Sequence, residues 1–100
     1  MSYELKLHRG VEKQLERIPK KRRERLVNTM RSLGDEPRPT GCIKLEDQLY
    51  RVRQGQYRII YAIFDEEIIV FICKVARRTE TTYRDLQKML ERAIRSVIGE

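Results

Sequence analysis

Arg51 and Arg53 stand two residues apart, Arg58 follows after a short break, and Lys74, Arg77 and Arg78 come later in the chain. No aspartate or glutamate lies between Leu49 and Phe64 to neutralise the three arginines. Residues two apart on a β-strand project from one face, and a tight turn at Gln54-Gly55-Gln56 would bring Arg58 onto the neighbouring strand. Clustered arginines repel one another, and a surface that is merely solvated would normally dilute them with acids. Guanidinium groups grip phosphate oxygens in a planar fork and offset the extra charge that develops on a pentavalent phosphorus. RNA cleavage is therefore chemically accessible without a metal or other cofactor. The neighbouring 2'-hydroxyl would be the nucleophile, and the protein would supply positioning and charge. A solvated basic face is the alternative.

Other chemistries find little support. There is no Gly-rich phosphate loop, no Ser-His-Asp set and no pair of carboxylates in a promising context. His8 falls on the polar side of an alternating segment and reads as solvated. Cys42 and Cys73 lack metal-ligand spacing and read as ordinary small side chains. Lys20, Lys21, Arg22, Arg23 and Arg25 crowd one short stretch, broken only by Glu24. Two readings stay open for that stretch, a solvated basic face or contact with an RNA phosphate backbone.

The elements that would position these groups follow from periodicity. Tyr3, Leu5 and Leu7 alternate with polar residues, so Tyr3 to His8 is predicted as a strand. Val11, Leu15 and Ile18 are spaced for a helix that Pro19 interrupts. A second helix begins near Lys20, carries Leu26, Met30 and Leu33 on its apolar stripe, and ends at Gly34. After a loop over residues 35–41, three strands are predicted at Leu49 to Arg53, Tyr57 to Phe64 and Ile68 to Val75. They are joined by turns short enough for an antiparallel meander. Both faces of the last two strands are apolar, so both need cover. Tyr57 and Tyr61 share a strand face and read as core. A terminal helix from about Tyr83 to Ile98 is expected, with Thr82 to Asp85 as a variant capping box. The reading is α+β: a small antiparallel sheet, an N-terminal helix hairpin on one face and a C-terminal helix, in the order β-α-α-β-β-β-α.

The 100 residues suit one domain spanning the chain. A net charge of +7 favours an anionic partner, nucleic acid first. Residues 1–78 hold 18 Lys/Arg against 11 Asp/Glu, which places the anion-binding surface before residue 79. No run is long and apolar enough to cross a bilayer, and the start lacks the apolar stretch of a signal peptide, so a cytoplasmic protein without membrane contact is expected.

Leu49-Tyr50-Arg51-Val52-Arg53, Gly55 and Tyr57-Arg58-Ile59-Ile60-Tyr61 together resemble the hallmark stretch of the RelE/ParE superfamily of toxins from toxin-antitoxin pairs. Ile43-Lys44-Leu45, Ile69-Val70-Phe71, Arg77-Arg78 and Tyr83 continue the match. The resemblance implies a ribosome-dependent messenger-RNA endonuclease, neutralised by a cognate acidic antitoxin with which it could form a heterotetramer. It implies that Arg51, Arg53, Arg58, Arg78 and Tyr83 carry the reaction. Arg58 and Arg78 would stabilise the phosphate, and Tyr83 would stack on a base or take part in proton transfer. RNA contact would fall to Lys20, Lys21, Arg22, Arg23, Lys44, Lys74 and Arg77. Well-studied RelE enzymes carry lysines where Arg51 and Arg53 stand, and an arginine does not give up its proton. The general base must then be another group, with Tyr83, Lys74 and Glu80 as candidates. Two other functions stay open: a ParE-like inhibitor of DNA gyrase and a degenerate RNA-binding domain.

Overall fold

The computed structural model describes residues 2–79 and 85–99. The alternating start forms β1 (Glu4–Leu7). His8 ends that strand by capping α1 (Arg9–Glu16): its Nδ1 accepts the Gly10 N–H at 3.0 Å, satisfying one of the donors that a helix leaves open at its start. Beyond Pro19 runs α2 (Lys20–Asp35), followed by β2 (Ile43–Glu46), β3 (Leu49–Gln54), β4 (Tyr57–Phe64), β5 (Ile69–Arg77) and α3 (Leu86–Ile98). The expected Thr82 cap and the Tyr83 start of the last helix lie outside the described residues. Among the described residues, no helix is long and apolar enough to cross a membrane.

One sheet in the order β1-β5-β4-β3-β2 organises the chain. The α+β class, the helix hairpin and the β3–β4–β5 meander are as read from the sequence, and the sheet departs from that reading in two respects. Ile43–Glu46 adds a strand, antiparallel to β3. Its four residues follow a proline- and glycine-containing loop and are too few to show a clear period. The second departure is that β1 lies parallel to β5, with Glu4 opposite Ile69 and Leu7 opposite Ile72, so the sheet is mixed. Only a tight turn forces two strands to be antiparallel, and β1 is separated from β5 by most of the chain.

Each sheet face has its own core. On one, Val11, Leu15, Leu26, Met30 and Leu33 of the hairpin pack on Val52, Ile59, Tyr61, Val70 and Ile72. On the other, Leu90 and Ala93 of α3 pack on Leu49, Ala62, Phe64 and Phe71. A fully buried side chain of this size contributes about 1.5–3 kcal/mol. No buried residue among those described is polar or charged, so the charged groups sit at the margins of the cores. Tyr57 and Tyr61 are core residues as expected, and the Tyr61 hydroxyl donates to the Pro37 carbonyl at 2.7 Å.

Two local features set the far end of β5. Pairing with β1 stops at Ile72, and beyond it the Gln14 amide takes the place of a strand. Its Nε2 donates to the Val75 carbonyl at 2.8 Å, and its Oε1 accepts the Val75 N–H at 3.1 Å. In addition, Ile60 pairs with Lys74 while Tyr61 pairs with Ile72, which leaves Cys73 as an extra residue in a bulge.

Candidate active site

The meander brings the three arginines of β3 and β4 together. Arg53 lies directly opposite Arg58, and Arg51 directly opposite Ile60. Cross-strand partners share a face, and this is the face on which Leu49 and Ala62 meet α3. The arginines occupy its other end, beside the β3–β4 turn. Arg51 and Arg58 are half-buried, each with its Nε out of solvent, and Arg53 is exposed.

Lys74 joins this face because of the bulge. Simple alternation from Phe71 would place it on the opposite side, but the extra residue at Cys73 shifts the phase and pairs Lys74 with Ile60. One row across the sheet therefore reads Arg51, Ile60, Lys74, and the next reads Arg53, Arg58, Ala76. Arg77 pairs with the core residue Tyr57 and falls on the helix-hairpin side. Arg78 follows the strand end, where its N–H donates to the Gln56 carbonyl at 2.7 Å. An open cleft of about 510 Å³ is lined by Gln56, Arg77, Arg78 and Thr79. Lys44 does not join the group: it is exposed opposite Tyr50, which packs on the hairpin core. Tyr83 and Glu80 lie outside the described residues.

The basic stretch of α2 approaches the same end of the sheet from the other side. Lys20, Lys21 and Arg22 are exposed and Arg23 is half-buried. Arg22 and Arg25 line a cavity of about 170 Å³ together with Gln54, Gly55, Gln56 and Tyr57. The first turn of α2 contains no acid and its start has no side-chain cap. Cations there oppose the helix dipole at about 0.3–1 kcal/mol each, a cost that phosphate contact would offset. The β3–β4 turn thus has Arg22 and Arg25 on one side and Arg58 and Arg53 on the other.

Arg38, Asp65, Tyr50 and Tyr3 form a network away from the arginine face. Arg38 grips Asp65 through both terminal nitrogens, at 3.2 and 2.8 Å, and its Nε donates to the Tyr50 hydroxyl at 3.2 Å. The Tyr3 hydroxyl donates to the same carboxylate at 2.7 Å. Burial pushes the Cys73 thiol up to about 12, which removes it as a nucleophile near neutral pH. His8 is the α1 cap and meets Phe71 edge-on, with ring centroids 6.4 Å apart; it is not simply solvated. Sequence reasoning also missed Lys88 and Arg92, which α3 brings to a cavity shared with Lys74. The balanced charge of the last segment hid them, although their i, i+4 spacing marks a shared helix face.

Residues 5–82 match the family model of the ParE toxin of type II toxin-antitoxin systems. A protein of Methanocaldococcus jannaschii named as the toxin RelE1 is 28% identical over 90 residues, covering 85% of this chain and 99% of that one. The archaeal RelE-RelB complex from Pyrococcus horikoshii is similar in structure, with a TM-score of 0.74 and 34% identity over 81% of this chain and 100% of the matched one. The free-state structure of an E. coli RelE mutant shares the fold, with a TM-score of 0.72 at 22% identity over 92% of this chain and 98% of that one.

Proposed function

The chain belongs to the ParE toxin family of type II toxin-antitoxin systems, within the RelE/ParE superfamily, and from that premise we propose that it is an endoribonuclease that cleaves messenger RNA on the ribosome. Its action in the cytoplasm arrests translation until a cognate acidic antitoxin neutralises it, with a heterotetramer as the resting complex. The observation that carries this reading is the pair of basic rows, Arg53 opposite Arg58 and Arg51 in line with Lys74.

In this mechanism the guanidinium groups of Arg58 and Arg78 hold the scissile phosphate, and Arg51 and Arg53 hold the strand. The 2'-oxygen attacks the adjacent phosphorus, the new O–P bond forms, and the bond to the 5'-oxygen breaks. The proton of the 2'-hydroxyl passes to a base and the leaving 5'-oxygen gains one, giving a 2',3'-cyclic phosphate and a 5'-hydroxyl. Of the three candidate bases, Lys74 is the one that lies among the described residues, and it shares the arginine face. An amine is a type of group that can act as a base, whereas a guanidinium is not. Contacts from Lys20, Lys21, Arg22, Arg23 and Arg77 would seat the domain on ribosomal RNA.

A second reading is supported by the family model itself, which describes ParE toxins: an inhibitor that binds DNA gyrase and performs no chemistry. The two readings separate on induction of the gene with pulse labelling. Protein synthesis stopping before DNA replication supports the nuclease, and the reverse order supports the gyrase inhibitor.

A further inference from the structure

Between the start of α1 and α3 lies a cavity of about 360 Å³, within the range of small-molecule sites. We propose that it is a second RNA subsite, which takes the base and phosphate of one nucleotide from a strand crossing the arginine face. The proposal rests on the reading of RNA as the substrate.

Three cations line the cavity: Lys74, Lys88 and Arg92. Phe71 and Met89 give it an apolar wall, and Asp85 adds a single carboxylate. A shallower groove continues from it toward β1, sharing His8, Phe71 and Arg92 and adding Lys6, Arg9 and Arg95. Phe71 is 3% exposed and forms only the floor of the cavity, so the ring open to a base is that of half-buried His8. Cations beside such a ring suit a nucleotide, whose phosphate meets the charges. An acidic peptide would satisfy the cations equally well, but its carboxylates offer Asp85 no hydrogen-bond donor, whereas a base edge does. The Asp85 carboxylate accepts hydrogen bonds from the exocyclic amino groups of adenine, cytosine and guanine, as acids do at base edges. His8 adds a donor to the lining: its Nδ1 accepts the Gly10 N–H, so the neutral ring carries its proton on Nε2.

Lys74 connects the cavity to the arginine rows. It lies two strands from Arg51, with Ile60 between, about 10 Å at ordinary strand spacing. A short piece of extended single strand spans that distance. The bulge at Cys73 thus serves both sites, because it turns Lys74 toward them.

The test is titration of the intact protein with AMP, CMP, GMP, UMP, adenosine and inorganic phosphate. Amide signals of Phe71 and Cys73 and the Met89 methyl are followed by NMR. Binding of a 2'-O-methyl oligoribonucleotide, which cannot be cleaved, is measured alongside by fluorescence anisotropy. The amino-bearing nucleotides are expected to shift these signals, UMP to bind more weakly, and Asp85→Asn to erase that preference. Lys88→Ala and Arg92→Ala alter exposed side chains. Each is expected to weaken oligonucleotide binding and to reduce its logarithmic salt slope by about 0.7, the value for one lost single-strand phosphate contact. Inorganic phosphate binding as tightly as AMP would overturn base recognition. Nucleotide binding with oligonucleotide affinity unchanged in both variants would overturn the strand path. A poly-glutamate peptide shifting these signals where nucleotides do not would make the cavity an acidic-peptide site instead. Because no readout requires cleavage, a protein that shows these responses yet cuts no message keeps the subsite and loses the nuclease reading. One that cuts message without them loses the subsite alone.

Discussion

Arg53 and Arg58 face each other directly across the β3–β4 pair, two like charges in register at the end of the sheet. Like charges in that position destabilise an antiparallel pair, and opposite charges there contribute roughly 0.2–1 kcal/mol. An anion bound across the pair would meet both guanidinium groups at once. Arg53→Ala is expected to weaken the protein's hold on an oligoribonucleotide and to reduce its logarithmic salt slope by about 0.7. An affinity and salt slope equal to the parent's would show that Arg53 does not contact the strand.

The Gln14 amide closes the open edge of β5 with two hydrogen bonds to Val75. Gln14→Ala leaves both backbone groups without that partner, at a cost of about 1–3 kcal/mol. Urea denaturation of the variant against the parent checks this, and an unchanged midpoint would mean that the edge is satisfied in another way.

Stability should respond to pH at both extremes through Asp65. Its carboxyl is held below the ordinary value of 3.8, first by the Arg38 guanidinium and then by the Tyr3 hydroxyl. A depressed carboxyl contributes fully above its unfolded value, and the contribution is lost as pH falls toward the folded one. Tyr3 is raised above 10.0, chiefly by its bond to Asp65, so its contribution is complete below that value and lost as pH rises beyond it. Asp65→Asn is expected to flatten the acid side of a melting-temperature profile, and Tyr3→Phe the alkaline side. The effects should be small, because Arg38 and Asp65 are 46% and 53% exposed and solvent screens them. Parallel profiles for the parent and both variants would contradict this linkage.

Ile68 holds φ at 58° in the β4–β5 turn, a left-handed conformation that β-branched residues rarely adopt. It is 38% exposed, so little packing is lost on replacement. Ile68→Gly is expected to stabilise the protein by about 1 kcal/mol. A lower melting temperature would indicate that the side chain matters more than the backbone.

Much of this architecture can be read from the residues, and what escapes has physical reasons. Val11, Leu15 and Ile18 before Pro19 announce the hairpin, and the two-residue spacing of Arg51 and Arg53 places both beside Arg58. Periodicity is blind to irregularity, however. The bulge at Cys73 moves Lys74 to the other face, and nothing in the local pattern signals it. Lys44 and Arg77 belong to the same basic motif as the site arginines, yet strand phase sends both to the hairpin side. His8 looked solvated because capping depends on the turn it makes with Gly10. Lys88 and Arg92 escaped because net charge per segment carries no direction, and only the packing of Leu90 and Ala93 fixes which side of α3 faces Lys74.

The most direct test of the central claim is cleavage of ribosome-bound message by the parent protein and by Arg58→Ala, with the chemical ends of the products identified. The expected result is fragments ending in a 2',3'-cyclic phosphate, formed equally in a chelator that leaves ribosomes assembled. The Arg58→Ala protein should form them roughly ten- to a thousandfold more slowly, as for loss of one transition-state charge contact. Fragments bearing a 5'-phosphate, or a variant that cuts at the parent rate, would contradict the account.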